Sequence, residues 1–175
     1  MKKLLLLSCL FLLFSCSKDA STPELAIGQE YKGGLIFYLD ASRQHGLIAS
    51  HYTFEAKWGC ENTLLQGANS TGTGNQNTID IVNGCSEVGI AAKLCSDLVT
   101  GGYSDWYLPS CNELYLLYMN RFSVLNIGGM TSSNHWSSTQ VFAGDANCIY
   151  FGGSNVLINS AHKFYTYSVN PIRIF

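Results

Sequence analysis

The residue types that perform most enzymatic chemistry occur in this sequence, but their spacing matches no catalytic or metal-binding motif. The chain contains no Gly-x-Ser-x-Gly, no His-Glu-x-x-His and no Walker loop. Its four histidines lack metal-ligand spacing, and its carboxylates form no recognisable acid–base pair. The nearest cysteines of the domain, Cys85 and Cys95, are ten residues apart, whereas thiol exchange uses a close pair such as Cys-x-x-Cys. The sequence therefore predicts a protein that is not an enzyme and needs neither a metal nor a cofactor.

A glycine-rich segment at residues 71–78, Thr-Gly-Thr-Gly-Asn-Gln-Asn-Thr, invites comparison with a phosphate-binding loop. Such a loop needs its glycines to open a helix directly after a strand. Here polar residues continue instead, which favours a structured loop. The surrounding residues 59–86 contain few large apolar side chains and are predicted to form one long loop region. A disulfide between Cys60 and Cys85, which bracket this region, would pin it.

The first residues have the layout of a secretion signal. Lys2 and Lys3 precede an apolar run from Leu4 to Phe14, which is shorter than the roughly 20 residues of a transmembrane helix. The segment Leu13-Phe14-Ser15-Cys16 resembles a lipobox, where a signal peptidase cuts before a cysteine that carries a diacylglycerol group. We therefore predict a signal peptide at residues 1–15, a lipidated Cys16 and a flexible tether over residues 16–28.

The residues after the lipidated cysteine bear on which membrane holds the anchor. Ser17 is not the aspartate associated with retention in the inner membrane, so we expect a lipid anchor in the outer membrane. Lys18-Asp19 faintly resembles the charged surface-export signals of some lipoproteins. The periplasmic and the outward face of that membrane both stay open as locations.

Composition limits the partners of the remaining chain. Removing residues 1–15 leaves 160 residues, enough for one domain with a real core. Two of the ten Lys and Arg lie in the signal, so eight basic residues face twelve acidic ones, a formal charge of −4 without a basic block. Nucleic acid is therefore excluded as an expected partner, and net charge does not favour a polyanion.

Hydrophobic patterning over residues 29–175 predicts an α+β domain. A hairpin of residues 35–39 and 47–50 comes first. Two helices follow the long loop, the first with apolar residues at helical spacing between residues 91 and 98. The second begins at Ser110, whose hydroxyl is expected to form a capping box with Glu113.

The rest of the chain reads as strands. Residues 135–139 form one candidate, and residues 147–151 and 156–159 form a hairpin around a Gly-Gly-Ser-Asn turn. Residues 165–175 close the chain, and Pro171 indicates an edge strand or a bulge there.

Several segments along the domain carry a resemblance to a known family. They are residues 31–38 (Tyr-Lys-Gly-Gly-Leu-Ile-Phe-Tyr), 72–78, 102–110, Glu113-Leu114, 136–139 (Trp-Ser-Ser-Thr) and 169–173 (Val-Asn-Pro-Ile-Arg). In this order they resemble the Lcl C-terminal domain family, named for a collagen-like bacterial adhesin. The Asp-Trp-Tyr-Leu-Pro-Ser part, residues 105–110, is the most specific piece.

The resemblance implies a C-type-lectin-like fold, related to that of formylglycine-generating enzymes. It implies a single domain with two helices, mixed antiparallel sheets and long loops. In such folds the segment from Trp106 to Pro109 and the strand that begins at Trp136 build the core, so both tryptophans are expected to be buried. Asp105 is expected to tie the turn before Trp106 to backbone amides.

The resemblance also bears on the cysteines. Of the seven, Cys9 lies in the signal and Cys16 carries the lipid, so five remain and at least one stays free. The family often has a cysteine near the closing strand that this chain lacks, which leaves Cys95 without a partner. Cys111 and Cys148 depart from the family pattern, and we expect them to pair with each other.

These observations support a membrane-anchored, non-enzymatic binding or adhesion module that presents a lectin-like domain to an extracellular glycan or protein. Candidate contact regions are residues 60–80 and the polar residues near His135 and Trp136, although both also read as loop and core. The Glu-Pro-Asn and Gln-Pro-Asp triplets of calcium-dependent lectins are absent. An enzyme on a formylglycine-generating-type fold and a structural subunit of a surface assembly stay open as alternatives, as does the oligomeric state.

Overall fold

A computed structural model describes residues 24–65, 73–124 and 132–175. The predicted signal peptide, Cys16 and most of the predicted tether lie outside these residues, as do Thr71 and Gly72. Within the described ranges, no helix combines the length and the apolar character needed to cross a membrane.

The first of two sheets is antiparallel and contains four strands in the order β1-β2-β3-β9. Its strands are β1 (Glu30–Tyr31), β2 (Gly34–Leu39), β3 (Gly46–Ala49) and β9 (Ile172–Ile174). The predicted hairpin is β2 and β3, which pair antiparallel. Along β2, Leu35 and Phe37 pack into one core cluster and Ile36 into another, so this sheet is covered on both faces.

The second sheet is mixed and contains five strands in the order β4-β8-β5-β6-β7. Its strands are β4 (Phe54–Lys57), β5 (Asn134–Gln140), β6 (Asp145–Tyr150), β7 (Ile158–His162) and β8 (Thr166–Val169). The contact between β5 and β8 is parallel, and the others are antiparallel. The predicted hairpin around the Gly-Gly-Ser-Asn turn is β6 and β7.

The closing segment differs from the single strand expected over residues 165–175. It divides into β8, which lies between β4 and β5, and β9, which pairs with β3 in the other sheet. The chain passes from one sheet to the other at Asn170-Pro171. Proline has no backbone N–H, and between two strands this breaks no inter-strand hydrogen bond. Pro171 therefore marks the passage between two sheets, and its carbonyl accepts a hydrogen bond from the backbone N–H of Ser50.

The described residues form three α-helices, one more than the sequence predicted. They are α1 (Gly74–Gly84), α2 (Ala91–Ser96) and α3 (Cys111–Met119), and a 3-10 turn follows at Arg121–Val124. The first lies inside the region predicted to be a long loop. Its buried residues are Gly74, Asn77, Thr78 and Ile81, so its inward face is mostly polar and lacks the apolar periodicity that signals a helix.

The buried apolar side chains form three clusters between the helices and the two sheets. Helices α1 and α2 pack with the five-stranded sheet around Trp58, Ile81 and Trp136. Helix α3 packs against the four-stranded sheet and β6 through Leu114, Leu117 and Ile149. Both predicted core tryptophans are buried, Trp106 at 2% exposure and Trp136 at 0%. The α+β class predicted from the sequence is confirmed.

Candidate functional site

Glu113 joins the start of α3 to the start of α1. The predicted capping box is present: the backbone N–H of Glu113 donates to Ser110 Oγ, and Glu113 Oε2 accepts from the backbone N–H of Ser110 at 2.8 Å. The same Oε2 accepts from the Ser110 hydroxyl at 2.5 Å and from the backbone N–H of Gly74 at 3.0 Å. The Tyr107 hydroxyl donates to Oε1 at 2.9 Å. One buried carboxylate therefore satisfies donors from two helix starts and from the segment between them.

Side chains of α1 hold this helix against the Trp-Tyr-Leu-Pro segment. Thr78 Oγ1 donates to the carbonyl of Gly74 at 2.8 Å and accepts from the backbone N–H of Leu108 at 3.0 Å. Asn77 Nδ2 donates to Ser138 Oγ on β5 at 3.1 Å. The glycine-rich segment and the Asp-Trp-Tyr-Leu-Pro-Ser segment, which were interpreted separately, are therefore parts of one site.

Asp105 makes a long-range contact in addition to a local one. The guanidinium of Arg173 on β9 faces it, with Nε and Nη2 donating to Oδ1 and Oδ2 at 2.7 and 2.8 Å, and the backbone N–H of Asp105 also donates to this carboxylate. These hydrogen bonds lower the pKa of the Asp105 carboxyl. The guanidinium also lies 3.8 Å from the centre of the Tyr103 ring. Local sequence does not indicate the contact with Arg173, because Arg173 is 68 residues away and its approach to Asp105 is set by the pairing of β9.

A cleft of about 260 Å³ lies between α1 and the segment around Asp105. Its lining combines polar and apolar side chains: Asn75, Thr78, Ile79, Val82, Asn83, Ser96, Ser104, Asp105, Trp106 and Tyr107. Asn75, Ile79 and Asn83 stand at i, i+4 and i+8 on one exposed face of the helix. A concave site with a few converging polar groups is the usual form of a small-ligand site.

The chemistry of the cleft favours a neutral, hydroxyl-rich ligand. Asn75 and Asn83 offer carboxamides, each with donors and acceptors, and Ser104 offers a hydroxyl. Among the described residues that line the cleft, none is Lys, Arg or His. The charge of Asp105 is already matched by Arg173, so neither an anion nor a cation finds an uncompensated partner there.

Sequence reasoning missed α1 as one wall of this cleft. Two spacings in the sequence could have indicated this helix. Asn75, Ile79 and Asn83 stand at i, i+4 and i+8, and Gln76 and Asp80 stand at i and i+4, where their side chains form a hydrogen bond. In the region near His135 and Trp136, also proposed for ligand contact, residues 135–140 are buried, whereas Ser133 and Asn134 are partly exposed. His135 Nδ1 lies 2.5 Å from Asn170 Oδ1, and its ring stacks on Phe151. His135 and Trp136 themselves therefore belong to the core.

The cysteines agree with one predicted disulfide and contradict the other. Cys60 and Cys85 form the expected disulfide across 25 residues. Cys111 and Cys148 are free and buried, as is Cys95, so the expected pairing of Cys111 with Cys148 is wrong. Family pattern alone could not decide this pairing, which depends on how α3 and β6 are placed. Among the described residues, Cys60, Cys85 and Glu87 form one group of metal-ligand type, but its two sulfurs are bonded to each other.

The free thiols are protonated. Burial raises the pKa of Cys95 well above its usual value and raises that of Cys111. Burial, and then the charge of Cys111, raise the pKa of Cys148 to about 11. A nucleophilic cysteine needs a lowered pKa and access to solvent. These three thiols have neither property.

Lys163 is a buried residue that sequence analysis did not single out. It follows β7, its side chain is 0% exposed, and its Nζ donates to the Thr63 carbonyl at 2.8 Å and to Gln140 Oε1 at 2.7 Å. The ammonium lies 4.4 Å from the centre of the Trp58 ring. Its own carbonyl accepts from the backbone N–H of Trp58. Lys163 thus holds the chain on either side of Cys60 against the five-stranded sheet.

Burial of Lys163 should make stability depend on pH. Desolvation lowers the pKa of Lys163 from its ordinary value of 10.5 to about 8. Between these values the unfolded chain binds a proton that the folded chain releases, so this residue makes the free energy of unfolding rise from about pH 8 to pH 10.5. Lys163→Met lacks this contribution and should become progressively less stable than the wild type over that range. Urea unfolding of both proteins at several pH values measures this, and parallel curves would contradict it.

Comparison with known proteins gives a similar fold but no family. No protein-family model matches the sequence, and no curated protein matches it. The structure is similar to that of a fimbrial protein from Bacteroides ovatus, with a TM-score of 0.57 and 15% sequence identity. The match covers 88% of this chain and 45% of the fimbrial chain, so this chain spans about half the length of that protein. At this identity the similarity concerns the fold alone, and the resemblance to the Lcl C-terminal domain family stays a prediction.

Proposed function

We propose that this chain is a lipid-anchored, non-enzymatic binding protein of the bacterial cell envelope that holds a neutral glycan in the cleft between α1 and Asp105. The signal layout and Cys16 support an anchor in the outer membrane. The resemblance to the Lcl C-terminal domain family supports an extracellular ligand. The observation that carries the proposal is the cleft itself, because it brings exposed carboxamides and a hydroxyl together with apolar side chains, without an uncompensated charge.

The geometry suits one or two sugar rings. Sugar hydroxyls each donate and accept, and the carboxamides of Asn75 and Asn83 do the same from one helix face. Ile79, which is 45% exposed, and Val82 lie between them and can pack against the apolar face of a sugar ring. The helix is held at its start by Glu113 and Thr78, so the polar groups are positioned before the ligand arrives. Such preorganisation reduces the entropy lost on binding.

The protonated free cysteines support a binding protein over an enzyme on a formylglycine-generating-type fold. That chemistry needs reactive thiols, and burial raises the pKa of each of the three free ones. The remaining two cysteines of the described domain are joined to each other.

A glycan array probed with the detergent-extracted full chain tests the proposal. We expect binding to neutral glycans that EDTA does not weaken. The double variant Asn75→Ala, Asn83→Ala should lose roughly tenfold in affinity, since two hydrogen bonds of about 0.5–1.5 kcal/mol each are removed. Asn112→Ala, an exposed asparagine on α3 away from the cleft, is the matched control and should bind like the wild type. Failure to bind any neutral glycan, or equal binding by the double variant, would contradict this site.

A further inference from the structure

Exposed apolar side chains lie close to the start of the described domain. Ile27 is 41% exposed, Met119 at the end of α3 is 54% exposed, and Phe122 in the 3-10 turn is 68% exposed. The chain start packs against this turn, because a Cβ on Gly28 would lie 2.7 Å from the carbonyl oxygen of Ser123. Ile27 and Phe122 directly precede these two contacting residues, so both segments place an apolar side chain in one area of the surface. We call Ile27, Met119 and Phe122 the apolar patch.

Arg121 adds a positive charge to the apolar patch. Its guanidinium lies 4.2 Å from the centre of the Phe122 ring and 3.9 Å from the centre of the Tyr118 ring. It donates hydrogen bonds to the backbone carbonyls of Tyr118 and Gly153, at 2.8 and 3.1 Å. Among the ion pairs of the described residues, none includes Arg121, so no carboxylate of these residues compensates its charge. Exposed apolar groups beside a basic residue are typical of a surface that lies on phospholipid.

The carboxylates at the start of the domain each have a partner. Glu24 Oε1 accepts from Arg43 Nε at 2.9 Å, and Glu30 Oε1 lies 2.7 Å from His51 Nε2. Arg43 also donates to the backbone carbonyl of Leu25 at 2.7 Å, which holds the first described residues against the turn between β2 and β3. The point where the predicted tether joins the domain is therefore fixed on the domain surface.

The length of the tether limits which faces of the domain can reach the membrane. Seven residues, 17–23, separate the predicted lipid-bearing Cys16 from Glu24, and a fully extended chain between the two spans at most about 28 Å. A domain of about 150 residues has a radius of gyration of about 15 Å, which corresponds to a diameter of about 40 Å. The side of the domain opposite Glu24 therefore cannot lie on the membrane. The apolar patch, in contrast, begins at Ile27, close to Glu24 in the chain.

We propose that the apolar patch lies on the phospholipid leaflet that holds the lipid of Cys16, with Arg121 directed toward the lipid phosphates. This proposal rests on the lipid anchor of the proposed function. Apolar residues of interfacial proteins enter the boundary between headgroups and acyl chains by about 5–10 Å, a depth that three exposed side chains can reach. The covalent anchor keeps the patch at a high local concentration near the membrane, so a small contact suffices. None of the residues that line the glycan cleft belongs to the patch.

Quenching of an added tryptophan by brominated lipids tests this contact. The detergent-extracted full chain is reconstituted into vesicles of phosphatidylethanolamine and phosphatidylglycerol with brominated acyl chains. Phe122→Trp places the reporter in the patch, and Phe142→Trp is the matched control, because Phe142 is 66% exposed between β5 and β6 of the other sheet. The three native tryptophans are buried and give the same background in both variants. We expect the added emission to fall by about half in Phe122→Trp and by about a tenth or less in Phe142→Trp.

A second reporter and a flotation measurement separate this contact from the anchor itself. Ile27→Trp, in the other segment of the patch, should be quenched like Phe122→Trp, and the circular dichroism spectra of all variants should match that of the wild type. Chains that do not float with the vesicles in a density gradient would contradict both the anchor and the contact. Chains that float but show equal quenching of both patch reporters and Phe142→Trp would overturn the contact alone. A patch covered by another protein instead of lipid would also leave its reporters unquenched and overturn the contact.

Discussion

Replacing Glu113 with alanine should lower the free energy of unfolding by about 4 kcal/mol, the largest effect we expect from a single side chain here. The substitution leaves the backbone N–H groups of Gly74 and Ser110 and the hydroxyl of Tyr107 without their acceptor in a buried site. Each unsatisfied buried donor costs about 1–3 kcal/mol. Denaturant unfolding followed by tryptophan fluorescence measures the loss.

Glu113→Gln separates the charge of this carboxylate from its shape. The amide oxygen can take the place of Oε2 and accept from Gly74 and Ser110. The Tyr107 hydroxyl, which donates to Glu113, can reverse and accept from the amide NH₂. We therefore expect glutamine to cost about half as much as alanine, because only the charge-assisted part of the bonding is lost. An alanine variant that loses less than about 1 kcal/mol would show that Glu113 does not join the two helix starts.

Replacing Gly74 with alanine should cost about 3 kcal/mol, through crowding at the same point. A Cβ at this position would lie 2.6 Å from the backbone nitrogen of Ser110 and 2.7 Å from the carbonyl oxygen of Leu108, and closer still to Glu113 Oε2. None of these atoms is the far end of a free side chain, so α1 itself must move. Because α1 is one wall of the cleft, we also expect weaker glycan binding, measured on the same array.

Gly144→Ala is the matched control for this substitution. Its Cβ would meet only Asn62 Oδ1, at 3.8 Å, which is an ordinary contact. We expect a change within about 0.5 kcal/mol, as for most surface substitutions. Equal losses for the two alanine variants would indicate a general cost of replacing glycine rather than crowding at Glu113. A Gly74→Ala protein as stable as the wild type would contradict the close approach.

Both predictions concern Glu113, which makes local hydrogen bonds to Ser110 and a long-range one to Gly74. The capping box of Ser110 and Glu113 is a local pattern, and it was predicted correctly because its hydrogen bonds span only three residues. The bonds of the same carboxylate to Gly74, 39 residues earlier, have no local signature. They hold α1 in a region whose composition predicted a loop.

The sequence by itself determined the elements whose residues bury an apolar face or carry a local cap. The β2–β3 hairpin, the β6–β7 hairpin and α3 follow from such patterns. The burial of Trp106 and Trp136 was expected from the family resemblance and is confirmed. The Cys60–Cys85 disulfide was predicted because the two cysteines bracket a polar stretch. Local sequence suffices for these elements, because the spacing of apolar residues shows which face of a strand or helix is buried.

Only the tertiary structure decided the features that depend on contacts between distant segments. These are the polar helix α1, the Asp105–Arg173 pair, the division of the closing segment at Pro171, the free thiols of Cys111 and Cys148, and the buried Lys163. The polar groups among them bond to partners dozens of residues away, whereas the two cysteines form no disulfide. Sequence spacing cannot specify that partner, because the distance between two side chains depends on how sheets and helices pack. The cleft also arises from this packing.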